Sequence, residues 1–165
     1  MKKSICFSVA MIMSVFFALP VGAISESQKT AIVDNCDKIK ETLTTVQHQD
    51  SRTRVYLGRY YEIVLSKYIT PLNVRLVENN MLSNELMDSQ DSFTKMRSSF
   101  IINYIEYQKR LEELVSMDCK AEPKSFYEKL VKVRESRKVV QSDTVGLKEL
   151  IMNQLGLVRK LKEKL

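Results

Sequence analysis

The 165-residue chain is mildly basic, with 26 Lys and Arg against 20 Asp and Glu, and it holds three cysteines, four glycines and one histidine. This balance does not call for a nucleic-acid partner, and a single histidine without any Glu-x-x-His pair excludes a di-metal carboxylate bundle. No G-x-S-x-G elbow, P-loop or dinucleotide fingerprint occurs either.

The chain opens MKKSICFSVAMIMSVFFALPVGA: two lysines, an apolar run from Ile5 to Leu19, Pro20, and then small residues. This is a signal-peptide pattern, and cleavage near Ala23 is expected. The alternative is an uncleaved anchor, since Ile5 to Ile24 is about long enough to span a bilayer. Cys6 lies inside the apolar run, not just after it, and so does not read as a lipoprotein acceptor. Residues 1–23 are therefore assigned to a signal peptide and 24–165 to one helical coiled-coil domain. That domain retains two cysteines, Cys36 and Cys119. In an exported protein an even pair reads as a disulfide. Two cysteines with His48 as the only histidine are too few for a structural zinc site.

A first helix is expected from about residue 26 to 79. Its seam positions recur in alternating steps of three and four: Ile32, Cys36, Ile39, Leu43, Val46, Asp50, Thr53, Leu57, Tyr60 and Val64. Pro71 forces a bend at 70–71, where Thr70 can cap a restart. Asn79-Asn80 supplies turn chemistry. A second helix, 84–119, follows Ser83 as N-cap and runs through Leu86, Gln90, Phe93, Arg97, Phe100, Tyr104, Tyr107, Leu111 and Leu114. A third, 123–165, starts with Pro123 at its first position and continues through Phe126, Leu130, Val133, Arg137, Val140, Thr144, Leu147, Ile151, Gln154 and Val158. The reading is all-α: an elongated antiparallel three-helix coiled-coil bundle with one disulfide.

A Cys36–Cys119 bridge requires the first two helices to run antiparallel. The midpoint between those cysteines falls in RLVENNML, where the turn signals lie. This register places Asp50 level with Tyr104, Tyr107 and Arg137, which predicts an Asp50–Arg137 pair beside a tyrosine hydroxyl. It also places Gln90 level with Gln154, which predicts an amide contact, and Arg97 level with Gly58 and Gly146. Such polar layers fix register at some cost in stability. The glycines make room for Arg97 or for close helix approach, or fall at that level by chance.

Tyr56, Tyr60, Tyr61 and Tyr68 crowd one region of the first helix, with Tyr60 in the seam and Tyr56 and Tyr61 beside it. The plainer reading is that they broaden the core stripe. The functional one is a partner-binding patch of Tyr56 and Tyr61 with Arg52 and Arg59, since interface hot spots favour Tyr and Arg. KSFYEKLVKVRESRK, residues 124–138, carries Lys124, Lys129, Lys132, Arg134, Arg137 and Lys138 against Glu128 and Glu135. Its charges surround the helix, so a solvated face is the plain reading, and contact with anionic lipid, cell-wall polymer or nucleic acid the alternative. Ile101, Ile102 and Ile105 lie off the second seam and either widen the core or join another chain. His48 has no metal or catalytic partner within helical reach. No catalytic residue, cofactor or metal site is assigned.

The segments CDKIKETLTTVQHQDSRTRVYLGRYYE, ITPLNVRLVENN, FIINYIEYQKRLEELVSMDC and PKSFYEKLVKVRESRKVV resemble a group of small secreted helical proteins encoded by candidate-phyla bacteria. The resemblance covers nearly all of residues 24–165, including both cysteines. It implies a bacterial envelope or extracellular setting, and it transfers no activity and no functional residue. The sequence thus leads to the expectation of a non-enzymatic secreted or envelope-associated protein that works through protein contacts, with binding of anionic lipid or cell-wall polymer as the alternative.

Overall fold

A computed structural model describes residues 24–81 and 83–163, so the expected leader at 1–23 lies outside the described residues. Every regular element among them is helical: α1 (Glu26–Asp34), α2 (Cys36–Ile63), a π-helical segment (Val64–Ile69), α3 (Thr70–Glu78), α4 (Asn84–Ser116) and α5 (Pro123–Glu163). A disulfide joins Cys36, at the start of α2, to Cys119 between α4 and α5, with the Cα atoms 5.7 Å apart.

The first arm, expected as one helix with a bend, is divided into four pieces. Ser25 opens α1 with a reciprocal cap: its hydroxyl accepts from the Gln28 backbone N–H, and its own N–H donates to the Gln28 side chain. Asn35 separates α1 from α2, and its side-chain amide donates to the Ala31 carbonyl, competing with the helix ladder. The bend expected at 70–71 is absorbed in the preceding turn. Pro71 has no N–H, and its ring crowds the carbonyl four residues earlier, that of Lys67. The chain responds by widening over Val64–Ile69, where the Thr70 N–H bonds Leu65 O, five residues back.

The first arm ends in a left-handed cap. Asn80 adopts φ 56°, Met81 N–H bonds Leu76 O at 2.8 Å and Asn80 N–H bonds Val77 O at 3.1 Å. Ser83 caps α4 through the Leu86 N–H. α4 stops at Ser116, short of the expected 119, because Asp118 folds the chain back. Its carboxylate accepts from the Lys120 and Ala121 backbone N–H groups at 2.9 and 3.1 Å. Those two donors hold the Asp118 carboxyl below the usual carboxylate range.

α4 is the centre of the molecule. It runs antiparallel to α5, as the pairs Glu113–Lys129, Asn103–Asp143 and Met96–Gly146 show in succession, and the two pack along their lengths. It is also antiparallel to the first arm, through Asp50–Tyr107, Tyr61–Phe100 and Asn73–Gln90. One cluster joins the buried side chains of all three arms, including Ile32, Tyr61, Phe93, Phe100, Leu111, Leu114, Phe126 and Leu147. The cross-section is nevertheless open on one side. No Cα of α2, the π segment or α3 comes within 8 Å of one of α5.

Candidate functional site

The open side forms a trough between the first arm and α5, and α4 floors its first part. Two successive grooves lie along it. The first has a volume of 570 Å³ and is lined by residues that include Asp50, Arg54, Leu57, Tyr104, Arg137 and Thr144. The second has a volume of 480 Å³ and is lined almost wholly by apolar side chains, among them Tyr60, Val64, Tyr68, Ile151 and Leu155, together with Gln154.

A polar centre closes the disulfide-proximal end. α2 presents Asp50, α4 presents Tyr107 and α5 presents Arg137. The Arg137 Nε and Nη2 atoms donate to Asp50 Oδ2 and Oδ1, both at 2.9 Å, and the Tyr107 hydroxyl donates to Oδ2 at 2.6 Å. Two parallel N–H···O bonds fix the angle between partners as well as their separation. Burial pushes the Tyr107 hydroxyl well above the ordinary tyrosine range, and the Asp50 hydrogen bond and charge push it further. Burial likewise raises Tyr104, against the lowering effect of Ser51, and the Asp50 bond raises Arg137. Arg54 lies 5.3 Å over the Tyr104 ring. Both carboxylate oxygens of Asp50 accept from other members of the centre, which suits a register clamp.

Other expected contacts are rearranged. Gln90 does not meet Gln154. Its Oε1 accepts from Asn73 Nδ2 at 2.7 Å, while Asn73 also donates to Leu86 O at 3.2 Å. The π segment rotates the chain after Ile69 and brings Asn73 onto the α4 face, a position that a strictly repeating stripe leaves outside. Gln154 is buried, with 6% exposure, and neither its Nε2 nor its Oε1 has a partner. Arg97 pairs with Glu62, with its Nε buried and unpartnered. The two glycines expected at its level differ from each other. Gly58 faces open space, and a Cβ on Gly146 would meet Met96 Cε at 3.2 Å.

The stripe slips by one residue before the π segment. Tyr61, expected beside the seam and in the partner-binding patch, is 3% exposed and packs edge-on against Phe93 and Phe100. Tyr60, expected in the seam, is 42% exposed. The shift follows from the step Leu57 to Tyr61, a full four residues, which the next step to Leu65 repeats in preparation for the wider turn. Tyr56 remains exposed at 71%, with Arg52 and Arg59 on the same helical face by their spacing. Tyr61 is therefore buried rather than part of an exposed patch, whereas Arg52, Tyr56 and Arg59 are exposed.

Sequence spacing alone did not single out Asn103, Asp143 or Ser136. Asp143 is buried and accepts from Asn103 Nδ2 at 2.7 Å, and Ser136 accepts from Arg110 at 3.1 Å. Their signal is the exact heptad Phe126, Val133, Val140, Leu147, Gln154, which marks the α4-facing line and makes 136 and 143 its flank. Two of the six basic residues of 124–138 are engaged: Lys129 lies 3.8 Å from Glu113, and Arg137 is in the polar centre. Ile101 packs against the core, whereas Ile102 and Ile105 are exposed. Among the described residues no group of His, Cys, Asp and Glu could hold a metal ion, and no helix is long and apolar enough to cross a membrane. No protein-family model matches the chain, and neither a curated protein nor a solved structure is significantly similar to it.

Proposed function

We propose that the protein is a non-enzymatic, secreted or envelope-associated interaction protein, built as a disulfide-stapled three-helix coiled-coil rod that presents helix faces to a protein partner. The observation that carries this reading is the concentration of large apolar side chains left in water along the two walls of one trough: Tyr60, Tyr68, Val145 and Leu155. Exposed apolar groups scattered singly mean little, but a contiguous set rimmed by polar residues is a recurrent mark of an interaction site. The closed hydrogen bonding of the Asp50 centre supports a structural role for the most perturbed titratable groups.

Lysine cross-linking in cells that make the protein natively tests the proposal. Links Lys95–Lys148 and Lys109–Lys132 serve as internal controls, because each spans neighbouring levels of α4 and α5. Those links together with reproducible links to one envelope protein are the expected result. Internal links with no partner, accompanied by salt-sensitive binding to anionic vesicles or cell-wall polymer, would replace the protein partner with an anionic surface.

A further inference from the structure

Gln154 sets the trough apart from an ordinary gap between helices. Its side chain is more than nine-tenths buried, it lines the apolar groove, and both its donor and its acceptor are unpartnered. A buried amide without a partner is costly, and in native proteins such groups normally have one. Here the lining supplies none: Val64, Ile69, Leu72, Ile151 and Leu155 are apolar, and neither the Tyr60 nor the Tyr68 hydroxyl bonds the amide. A ligand that fills the groove and satisfies Gln154 must bring both apolar surface and a small polar group that can donate and accept.

Length and charge narrow the class. From Arg137 to Val158 the α5 wall runs about 32 Å at the rise of an α-helix. A single acyl chain, about half of a ~30 Å bilayer core, would cover only half of that. A helix of about 21 residues matches it. Lys148, Arg159 and Lys162 fall on the same α5 stripe as the lining residues Ile151, Leu155 and Val158, and all three are exposed. The one acid lining either groove, Asp50, is held by Arg137. The rim is therefore basic. A second copy of the chain would bring the same basic stripe against it, whereas an acidic partner is complementary.

We infer that the trough between the first arm and α5 is the docking groove for an acidic amphipathic helix of a partner protein, which completes a four-helix cross-section and hydrogen-bonds Gln154 through an amide or hydroxyl side chain. The inference rests on the interaction reading above and gives it a site and a partner chemistry. Its form is helix-in-groove recognition, with apolar anchors at i, i+3, i+4 and i+7.

The test is a selection from a displayed library of 22-residue helices against the disulfide-bonded chain. The library has apolar seam positions fixed, while its flanks and one central seam position are randomised. Expected winners carry Asp and Glu on the flanks and Asn, Gln, Ser or Thr at the central position. Their binding shifts the Gln154 side-chain amide resonances. It weakens by about tenfold or more in Leu155→Asp and in the pair Lys148→Glu with Arg159→Glu. A peptide with its acids changed to lysine restores binding to the charge-reversed pair, which a merely misfolded variant could not do.

Winners without an acidic bias, winners indifferent to Leu155→Asp, or no winners at all would overturn the groove assignment. So would a dimer of the chain, or binding to anionic vesicles, that Leu155→Asp abolishes. Winners that instead map to Arg52, Tyr56 and Arg59 would overturn the groove and leave the protein-contact function standing. Vesicle binding with no peptide bound anywhere would overturn both.

Discussion

At the residue scale the Asp50 centre makes an asymmetric prediction. Asp50 serves two donors, Tyr107 and Arg137, and is the less exposed partner of the ion pair. Asp50→Ala strands a buried tyrosine hydroxyl and should cost about 2–3 kcal/mol. Arg137→Ala leaves Asp50 with its Tyr107 bond and one face in water, so the loss should be about 1 kcal/mol. Urea unfolding of the two variants checks the order, and equal losses would mean that Tyr107 contributes nothing through Asp50. The same hydroxyl governs behaviour in alkali. Its folded pKa is raised above the unfolded value, so the stabilisation is complete below about pH 10 and is lost as pH rises towards the folded value. Tyr61 and Tyr104 shift in the same sense. In Tyr107→Phe the decline of unfolding free energy between about pH 10 and 11.5 should therefore be shallower by up to about 1.4 kcal/mol per pH unit. An unchanged slope would show that the hydroxyl ionises as freely when folded as when unfolded.

At the element scale the two helix glycines separate propensity from packing. A Cβ on Gly58 meets nothing within 4 Å, so Gly58→Ala should raise stability by about 0.5–1 kcal/mol through helix propensity alone. At Gly146 the new methyl meets Met96 Cε at 3.2 Å, and the flexible thioether must yield, so thermal unfolding should show a smaller gain there. A loss at Gly58 would restore the crowding that the sequence register had suggested. The difference between the two sites marks what periodicity carries and what it does not. A three-and-four stripe identifies helices, their direction and the level of Asp50 with Arg137, because each depends only on counting along a regular repeat. It fails where the repeat is broken. Pro71 was visible, but a bend and a π turn relieve the same missing donor, and only the π turn rotates Asn73 onto α4. The one-residue slip that exchanged Tyr60 for Tyr61 has no signature in a stretch where both residues are tyrosine. Depth was equally hidden: Gln154 lies on the stripe, but that its amide goes unpaired depends on how far α2 stands from α5.

At the scale of the whole molecule, unequal packing decides what the disulfide is for. α4 and α5 contact each other along their lengths and are joined by a short connection, so their association is local in sequence and independent of the bridge. Beyond α1 the backbone of the first arm packs on α4 and reaches α5 through side chains such as Asp50 with Arg137, and its opposite flank is the trough. The Cys36–Cys119 bond ties that arm to the α4–α5 pair across a sequence separation of 83 residues. Closing such a loop stabilises the folded state by about 4.5 kcal/mol in the chain-entropy model. In Cys36→Ser with Cys119→Ser the loss should not be shared evenly. Amide hydrogen exchange should accelerate first through α2, the π segment and α3, whose backbone then opens without disturbing α4 and α5, and only later through Phe100–Leu114 and Phe126–Leu147. Uniform acceleration would mean that the three arms open as one cooperative unit, in which case the trough is a fixed feature of a closed core. Selective release of the first arm would mean that the disulfide sets the width of the trough, so that oxidation holds open the surface on which a partner helix must land.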